Sequence, residues 1–224
     1  MNVLITGVSS GLGYELAKKF IEKGDIVYGT SRRKTSLDIN HLQCDFNNLE
    51  ELSLNFKKFI KKVPKFDLVI LNAGMLGEVN TTSNLSINQF NEIFNVNVLA
   101  NKIIIDTLLN NKITIKQIIG ISSGAALKPY HGWSLYCSSK SAFKQLLSTY
   151  SLEYPEIIFT SLAPGIIKTD MQNYINSLDE SNYPSVKRFQ QIYDTMDTAD
   201  IVAKKLIDNL SKLSDGYLDL RNIK

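Results

Sequence analysis

A tyrosine and a lysine stand four positions apart in the stretch SLYCSSK, residues 134–140, among small and weakly polar neighbours. On an α-helix, positions i and i+4 lie one above the other, so Tyr136 and Lys140 would share a face with their polar ends close together. A free phenol, with a pKa of about 10, is a poor acid and a poor base at neutral pH, but a nearby ammonium stabilises the phenolate and lowers that value. The pair is either a proton-transfer device or an ordinary surface pair, and spacing alone does not choose.

The elements that must hold such a pair are legible as a pattern. Short apolar runs recur as NVLIT, DIVYGT, HLQC, DLVILN, IKQIIGIS, EIIFTSLA and YLDL, separated by longer stretches with helical periodicity. Strands covered on both faces read as continuous apolar runs, and parallel strands need crossovers that are usually helical. The expectation is an α/β chain with a doubly wound parallel sheet. Leu49, Leu52, Phe56 and Phe59 fall on one helical stripe, and so do Ala199, Val202, Leu206 and Leu210. Gly24 is placed to end the first helix in a left-handed turn, and Asn47 or Asn48 to cap the next. Residues 165–197 lack clear periodicity and read as a mobile flap, in which Tyr174, Tyr183 and Phe189 either line a pocket or anchor the flap.

Composition narrows the function classes. A chain of 224 residues fits one domain, 1–224, able to bury a sizeable core without disulfides or metals. The net charge is only +3, and the densest basic stretch, KKFIKKVPK, alternates with apolar residues as the wet face of a helix does, so no nucleic-acid partner is expected. Two cysteines, Cys44 and Cys137, and two histidines, His41 and His131, are too few for a disulfide framework or a metal site. No run approaches the roughly 18 apolar residues of a membrane span, and MNVLITG enters a strand directly, so a reduced cytoplasmic setting with no membrane partner is expected.

Directly after the first strand comes TGVSSGLG, which puts Gly7, Gly11 and Gly13 at a strand-to-helix turn together with Ser9, Ser10 and Leu12. Glycines let the backbone approach a pyrophosphate closely, and the free N–H groups at the next helix start attract its charge. A tight turn without a ligand is the plain alternative. The spacing is G-x-x-x-G-x-G, a variant of the G-x-G-x-x-G fingerprint.

Taken together, TGVSSGLG, NAG at residues 72–74, NVN at 95–97, ISS at 121–123, YCSSK and the PG of Pro164 and Gly165 resemble the short-chain dehydrogenase/reductase family, in its order and spacing from Thr6 to about Met171. The resemblance implies a Rossmann-type single domain and an NAD(P)-dependent oxidoreductase moving a hydride between a nicotinamide cofactor and a ketone, aldehyde or secondary alcohol. It implies that Tyr136 is the acid/base, that Lys140 lowers its pKa and holds the nicotinamide ribose, that Ser123 orients the carbonyl, and that Asn97 supports the proton relay. Ser122 is the second choice to Ser123. Asn97 also falls in register with Phe90, Phe94, Asn101 and Ile104 on one stripe, where an amide must be bonded; a structural bridge is its alternative.

The cofactor preference turns on the end of the second strand, VYGTSRRK. An NAD enzyme places an acidic residue there for the ribose 2′-OH; here Ser31 takes that place and Arg32 and Arg33 follow, as a 2′-phosphate requires. NADP(H) is therefore favoured over NAD(H), although the chain has Ser10 where many NADP-preferring relatives carry a basic residue. By the same resemblance Asp45, with Phe46 beside it, lies near the adenine; Asn72, Ala73 and Gly74 support the sheet and line the adenosine side; and Pro164, Gly165, Ile167 and Thr169 meet the carboxamide and begin the flap. His131 and Trp133 could line the substrate mouth. Relatives are commonly dimers or tetramers, so a homo-oligomer is expected. Two readings compete: a non-catalytic NADP-binding sensor of the same fold, and a sugar-nucleotide epimerase or dehydratase, against which the short C-terminal part of the chain argues.

Overall fold

The computed structural model describes residues 1–223. Its centre is a seven-stranded parallel sheet of β1 (Asn2–Thr6), β2 (Ile26–Ser31), β3 (Asn40–Gln43), β4 (Leu68–Leu71), β5 (Gln117–Ile121), β6 (Ile158–Ala163) and β7 (Gly216–Asp219). In space the strands run β7-β6-β5-β4-β1-β2-β3, every pair parallel. The order reverses between β1 and β4, and a doubly wound sheet opens a ligand crevice at that switch, beyond the carboxyl ends of the strands. All seven apolar runs of the sequence are strands, with ends shifted by a residue or two.

The inner strands are largely apolar because helices cover both faces; all four residues of β4, Leu68–Leu71, are buried, whereas the edge strand β3 has none buried. On one face lie α2 (Leu49–Phe59), α4 (Ala100–Asn110) and α5 (Ser134–Glu153), whose Leu52, Phe56, Ile104, Leu108 and Phe143 pack with Leu4 and Val69 of the sheet. On the other lie α1 (Gly11–Glu22) and α8 (Ala199–Asp208), where Leu16, Phe20, Val202 and Leu206 pack with Ile5 and Ile70. Gly24, at φ +77, closes α1 in the left-handed turn the sequence predicts. Of the two candidate caps before α2, Asn48 does the work: its side chain accepts from the Glu51 N–H at 3.2 Å.

The flap departs from expectation. Residues 165–197 carry α6 (Asp170–Asn176), α7 (Lys187–Gln191) and two short 3-10 turns. The segment is closed at its base by a two-residue strand pair, Ile167–Lys168 with Asp197–Thr198. Its helices are of seven and five residues, too short to show periodicity. Beneath it sits a third apolar cluster containing Leu76, Ile93, Trp133, Tyr136, Ile175 and Phe189.

Candidate active site

The crevice at the sheet's switch point is built around one side chain. Thr6 ends β1, and its Oγ1 accepts from the backbone N–H of Asn72 and of Ala73, each at 2.9 Å, tying the end of β4 to the start of the glycine turn. Asn72 Nδ2 donates back to the Thr6 carbonyl at 2.9 Å and fills the inside of the turn. A Cβ on Gly13 would stand 2.4 Å from that nitrogen and 2.4 Å from the Gly7 carbonyl oxygen. Gly7, at φ +79, is left-handed as well. The Leu12 side chain goes into the core beneath α1.

The turn suits a dinucleotide. Ser10 occupies the N-cap position of α1 without capping it, and the first turn holds no acidic residue. Ser10 Oγ instead accepts from Arg33 Nη2 at 3.1 Å. The positive end of α1 thus has no anion from the protein itself, and its free N–H groups stand between Ser9 and Gly11. Thr169 overlooks the same place, its methyl 3.7 Å from where a Cβ on Gly11 would lie.

At the end of β2, Ser31 is buried and its hydroxyl is committed inside the protein, donating to the Arg33 carbonyl at 2.7 Å and sharing a 2.8 Å bond with His41 Nε2. Burial first, and then Lys34, lower the pKa of that imidazole. Arg32 and Arg33 are exposed beside it. Asp45 is exposed too, one oxygen accepting from the Asn47 N–H at 2.9 Å, so it serves as a turn cap. The Phe46 ring packs into the core with Leu52 and Phe56 rather than facing outward.

Beside β4 and β5 lie the candidate acid/base residues. Tyr136 and Lys140 are both buried on one face of α5, as their spacing requires. Their polar ends do not meet: Lys140 Nζ donates to the Ile121 carbonyl at 2.8 Å and lies 5.7 Å from the centre of the Tyr136 ring. With no bond from the ammonium to the phenol, burial and not Lys140 sets the direction of the phenol's pKa. Burial pushes the phenol up to about 12, opposed by the neighbouring Ser123 hydroxyl, and burial lowers the ammonium to about 8. Ser123 is half-buried, and its Oγ accepts from the Ala125 N–H at 3.1 Å. Ser122 donates its backbone N–H to the Leu162 carbonyl at 2.7 Å and keeps a buried hydroxyl with no protein partner.

Asn97 is wholly buried and sits in a five-residue π-turn, Asn95–Leu99, between α3 (Ile87–Phe94) and α4. Its amide clamps the loop after β4: Oδ1 accepts from the Met75 N–H at 2.8 Å, and Nδ2 donates to the Met75 carbonyl and to Ser139 Oγ, each at 2.9 Å. Gly74 lies between this amide and Lys140, because a Cβ there would stand 3.2 Å from Asn97 Oδ1 and 3.3 Å from Lys140 Nζ. After β6, Pro164 is buried and Gly165, at φ +92, faces the Arg221 side chain; Ile167 is half-buried at the flap's base.

From Gly74 a cleft of about 500 Å³ opens between the loop after β4, α3 and α6. Met75, Leu76, Leu135 and Met171 give it apolar walls, and exposed Glu78, Glu92 and Asp170 stand around it with Tyr174. Of the three flap aromatics, Tyr174 lines the cleft, whereas Phe189 anchors the flap by stacking on Trp133 at 5.0 Å, and Tyr183 leans on His131. His131 is exposed with its N–H on Ser185 Oγ, and Trp133 is buried beneath the flap, so neither lines the cleft. Thr6, the Ile121 carbonyl, Met75 and Leu135 are site residues that motif reading passes over. Thr6 alone carried a signal, as the last strand residue before the glycines. Among the described residues, no group of three His, Cys, Asp or Glu could hold a metal ion.

Comparison with known proteins agrees with this geometry. A family model described as short chain dehydrogenase matches residues 1–180. A benzil reductase ((S)-benzoin forming) of Bacillus subtilis (strain 168) is 30% identical over 226 residues, covering 93% of this chain and 93% of its own. Among solved structures, a short chain dehydrogenase/reductase from Saccharomyces cerevisiae superposes with a TM-score of 0.86 at 21% identity, covering 99% of this chain and 96% of its own. ElxO with NADP bound superposes with a TM-score of 0.76 at 26% identity, covering 98% and 96%.

Proposed function

Since the chain belongs to the short chain dehydrogenase family and is an NAD(P)-dependent carbonyl reductase acting at C=O and CH–OH groups, we propose that it prefers NADPH, reduces an apolar or aromatic ketone or aldehyde, and uses Tyr136 as proton donor. The observation that carries this reading is the burial of Tyr136 and Lys140 together beside Ser123, next to Gly74 and Leu135, which line a cleft with apolar walls.

The cofactor, when bound, supplies the hydride in reduction and takes it up in oxidation. The backbone of Gly7, Ser9, Ser10, Gly11, Leu12 and Gly13 holds its pyrophosphate. Arg33, reaching Ser10 from the end of β2, and Arg32 beside it meet a 2′-phosphate. Ser31 supports Arg33 by holding its carbonyl, and the absence of an acid among residues 31–34 removes the usual partner of an unphosphorylated ribose. Asp45 and Phe46, through the turn before α2, with Ala73 and Gly74, border the adenosine. Asn72 shapes the glycine turn from within. Pro164, Gly165, Ile167 and Thr169 border the nicotinamide end.

Chemistry falls to the buried pair. With its pKa near 12, the Tyr136 phenol is protonated at neutral pH and ready to give its proton from Oη to the carbonyl oxygen as charge develops there. Ser123, whose hydroxyl adjoins the phenol, orients that oxygen. Lys140, with its pKa near 8, remains charged at pH 7 over the ring that must carry the phenolate. Asn97 holds Met75 and Ser139 so that Gly74 and Tyr136 keep their places. A homo-oligomer is part of this reading, supported by the fully presented Leu152 on α5.

The test is NADPH consumption against a panel of carbonyls, with wild type and Tyr136→Phe in parallel and NADH as the alternative cofactor. A 1,2-diketone, of the kind named for the Bacillus relative, is the first substrate to try. Tyr136-dependent turnover with preference for NADPH is expected. Cofactor binding without turnover on any carbonyl would make the chain a sensor and sink the reading.

A further inference from the structure

Trp133 is the only tryptophan of the chain and 4% exposed. It precedes α5 directly, three residues before Tyr136, and its carbonyl accepts from the Cys137 N–H at 2.8 Å. The indole stands edge-on to the Tyr136 ring at 6.2 Å and 78°, and lies face-on to Phe189 of α7 at 5.0 Å and 22°. Tyr130 packs against both, at 5.1 Å from Trp133 and 5.6 Å from Phe189. The indole N–H is buried without a partner, so the ring is held by packing alone.

The same loop meets the flap at two further points. The His131 N–H donates to Ser185 Oγ at 2.6 Å, and a Cβ on Gly132, at φ +81, would stand 2.9 Å from the Tyr183 ring. The far end of the flap therefore rests on the residues that lead into α5, while its near end, at Thr169, overlooks the glycine turn. Phe189, the indole and Tyr136 thus form one packed series from the flap to the phenol.

We propose that Trp133 is a positioning residue, joining Phe189 of the flap to the phenol of Tyr136 so that the seating of the flap over a ligand sets the placement of the acid. The proposal rests on Tyr136 being that acid, as argued above. Phe189 acts only through the indole. Its removal should therefore mimic the loss of the indole's face, and the two changes together should cost little more than one.

The experiment compares wild type with Trp133→Phe, Trp133→Leu, Phe189→Leu and the Trp133→Leu, Phe189→Leu double variant. Trp133→Leu and Phe189→Leu should each lower kcat about tenfold with KM for the carbonyl changed less than about twofold, Trp133→Phe should restore most of kcat, and the double variant should match the singles. The second readout needs no turnover: phenolate absorbance, taken as the difference between each protein and the same protein with Tyr136→Phe, titrates the phenol alone. The groups facing that phenol are Ser123 and Lys140, with the Cys137 thiol adjacent in the chain. None of them is altered, so a titration lowered by about one unit in Trp133→Leu and in Phe189→Leu reports water reaching Oη. The third readout is the emission of the single tryptophan, which should change when a carbonyl is added to the protein already saturated with NADP+ and stay flat in Phe189→Leu. An unmoved titration and unmoved kcat in the leucine variants would overturn the proposal while Tyr136-dependent turnover stands. Turnover that survives Tyr136→Phe, with the titration still shifting, would instead condemn the assignment of the acid.

Discussion

Lys140 and Tyr136 lie one turn apart on α5, yet the ammonium is bonded to the carbonyl of Ile121 at 2.8 Å and not to the phenol, whose ring centre is 5.7 Å away. The lysine is thus fixed by a strand end, with neither carboxylate nor solvent to offset its charge.

That burial has a measurable cost. The Lys140 pKa falls from 10.5 to about 8 on folding, which places a penalty of roughly 3 kcal/mol on the folded chain at pH 7. Losing the bond to Ile121 returns about 1 kcal/mol of that. Lys140→Met should therefore be inactive but more stable by about 2 kcal/mol in urea denaturation at pH 7. The folded chain releases this proton first, so between pH 8 and 10.5 the unfolded chain holds it longer and the penalty that Lys140 places on the folded chain fades. The variant's advantage should be full below pH 8 and shrink through that window.

Tyr136→Phe keeps the ring against Trp133 and removes only the hydroxyl. Turnover should fall by about 10² to 10⁴, with NADPH affinity unchanged within about twofold by fluorescence titration. A loss of affinity equal to the loss of rate would point to a binding role instead.

Gly13→Ala tests the glycine turn. Its Cβ would meet the Asn72 nitrogen and the Gly7 carbonyl oxygen, both at 2.4 Å, so the backbone must move. A loss of about 1–3 kcal/mol in stability is expected, together with weakened cofactor binding. Adding Asn72→Ala should not rescue the variant, because the carbonyl remains.

Arg33→Ala should raise the KM for NADPH about tenfold or more and change that for NADH little, since the proposed charge-assisted bond to phosphate is lost and beside it only the exposed bond to Ser10. Equal effects on both cofactors would mean that Arg33 serves only to hold Ser10.

The carboxylates of Glu78, Glu92 and Asp170 stand around the cleft and take part in no ion pair among the described residues. An aryl ketone should therefore be a better substrate than the same ketone carrying a carboxylate. Glu92→Gln should lower KM for the charged ketone by about twofold to fivefold and leave the neutral one unchanged, a modest effect because the group is exposed.

The sheet was legible because its inner strands are covered on both sides and so wear their burial in their sequence. The glycine turn was legible because its backbone conformations admit little else. What the sequence could not supply was the fate of individual polar atoms. Asn72 reads like a residue for the ligand and instead fills the turn, Ser31 turns inward to His41, and Phe46 joins the core. Asn72 depends on Thr6 at the end of another strand, Ser31 on His41 of the neighbouring strand, and Phe46 on the docking of α2. The flap's helices were invisible for another reason: elements of five and seven residues span too few turns to print a period.

The π-turn at Asn95–Leu99 adds a residue to one coil of a helix that otherwise runs from Ile87 to Asn110. Upstream of it Ile93 belongs to the cluster under the flap and Gln89 and Glu92 look into the cleft; downstream Ile104, Ile105 and Leu108 belong to the core against the sheet. The extra residue breaks the phase between those halves. Selection can therefore rewrite the surface that meets new molecules on the first half without disturbing the foundations laid by the second.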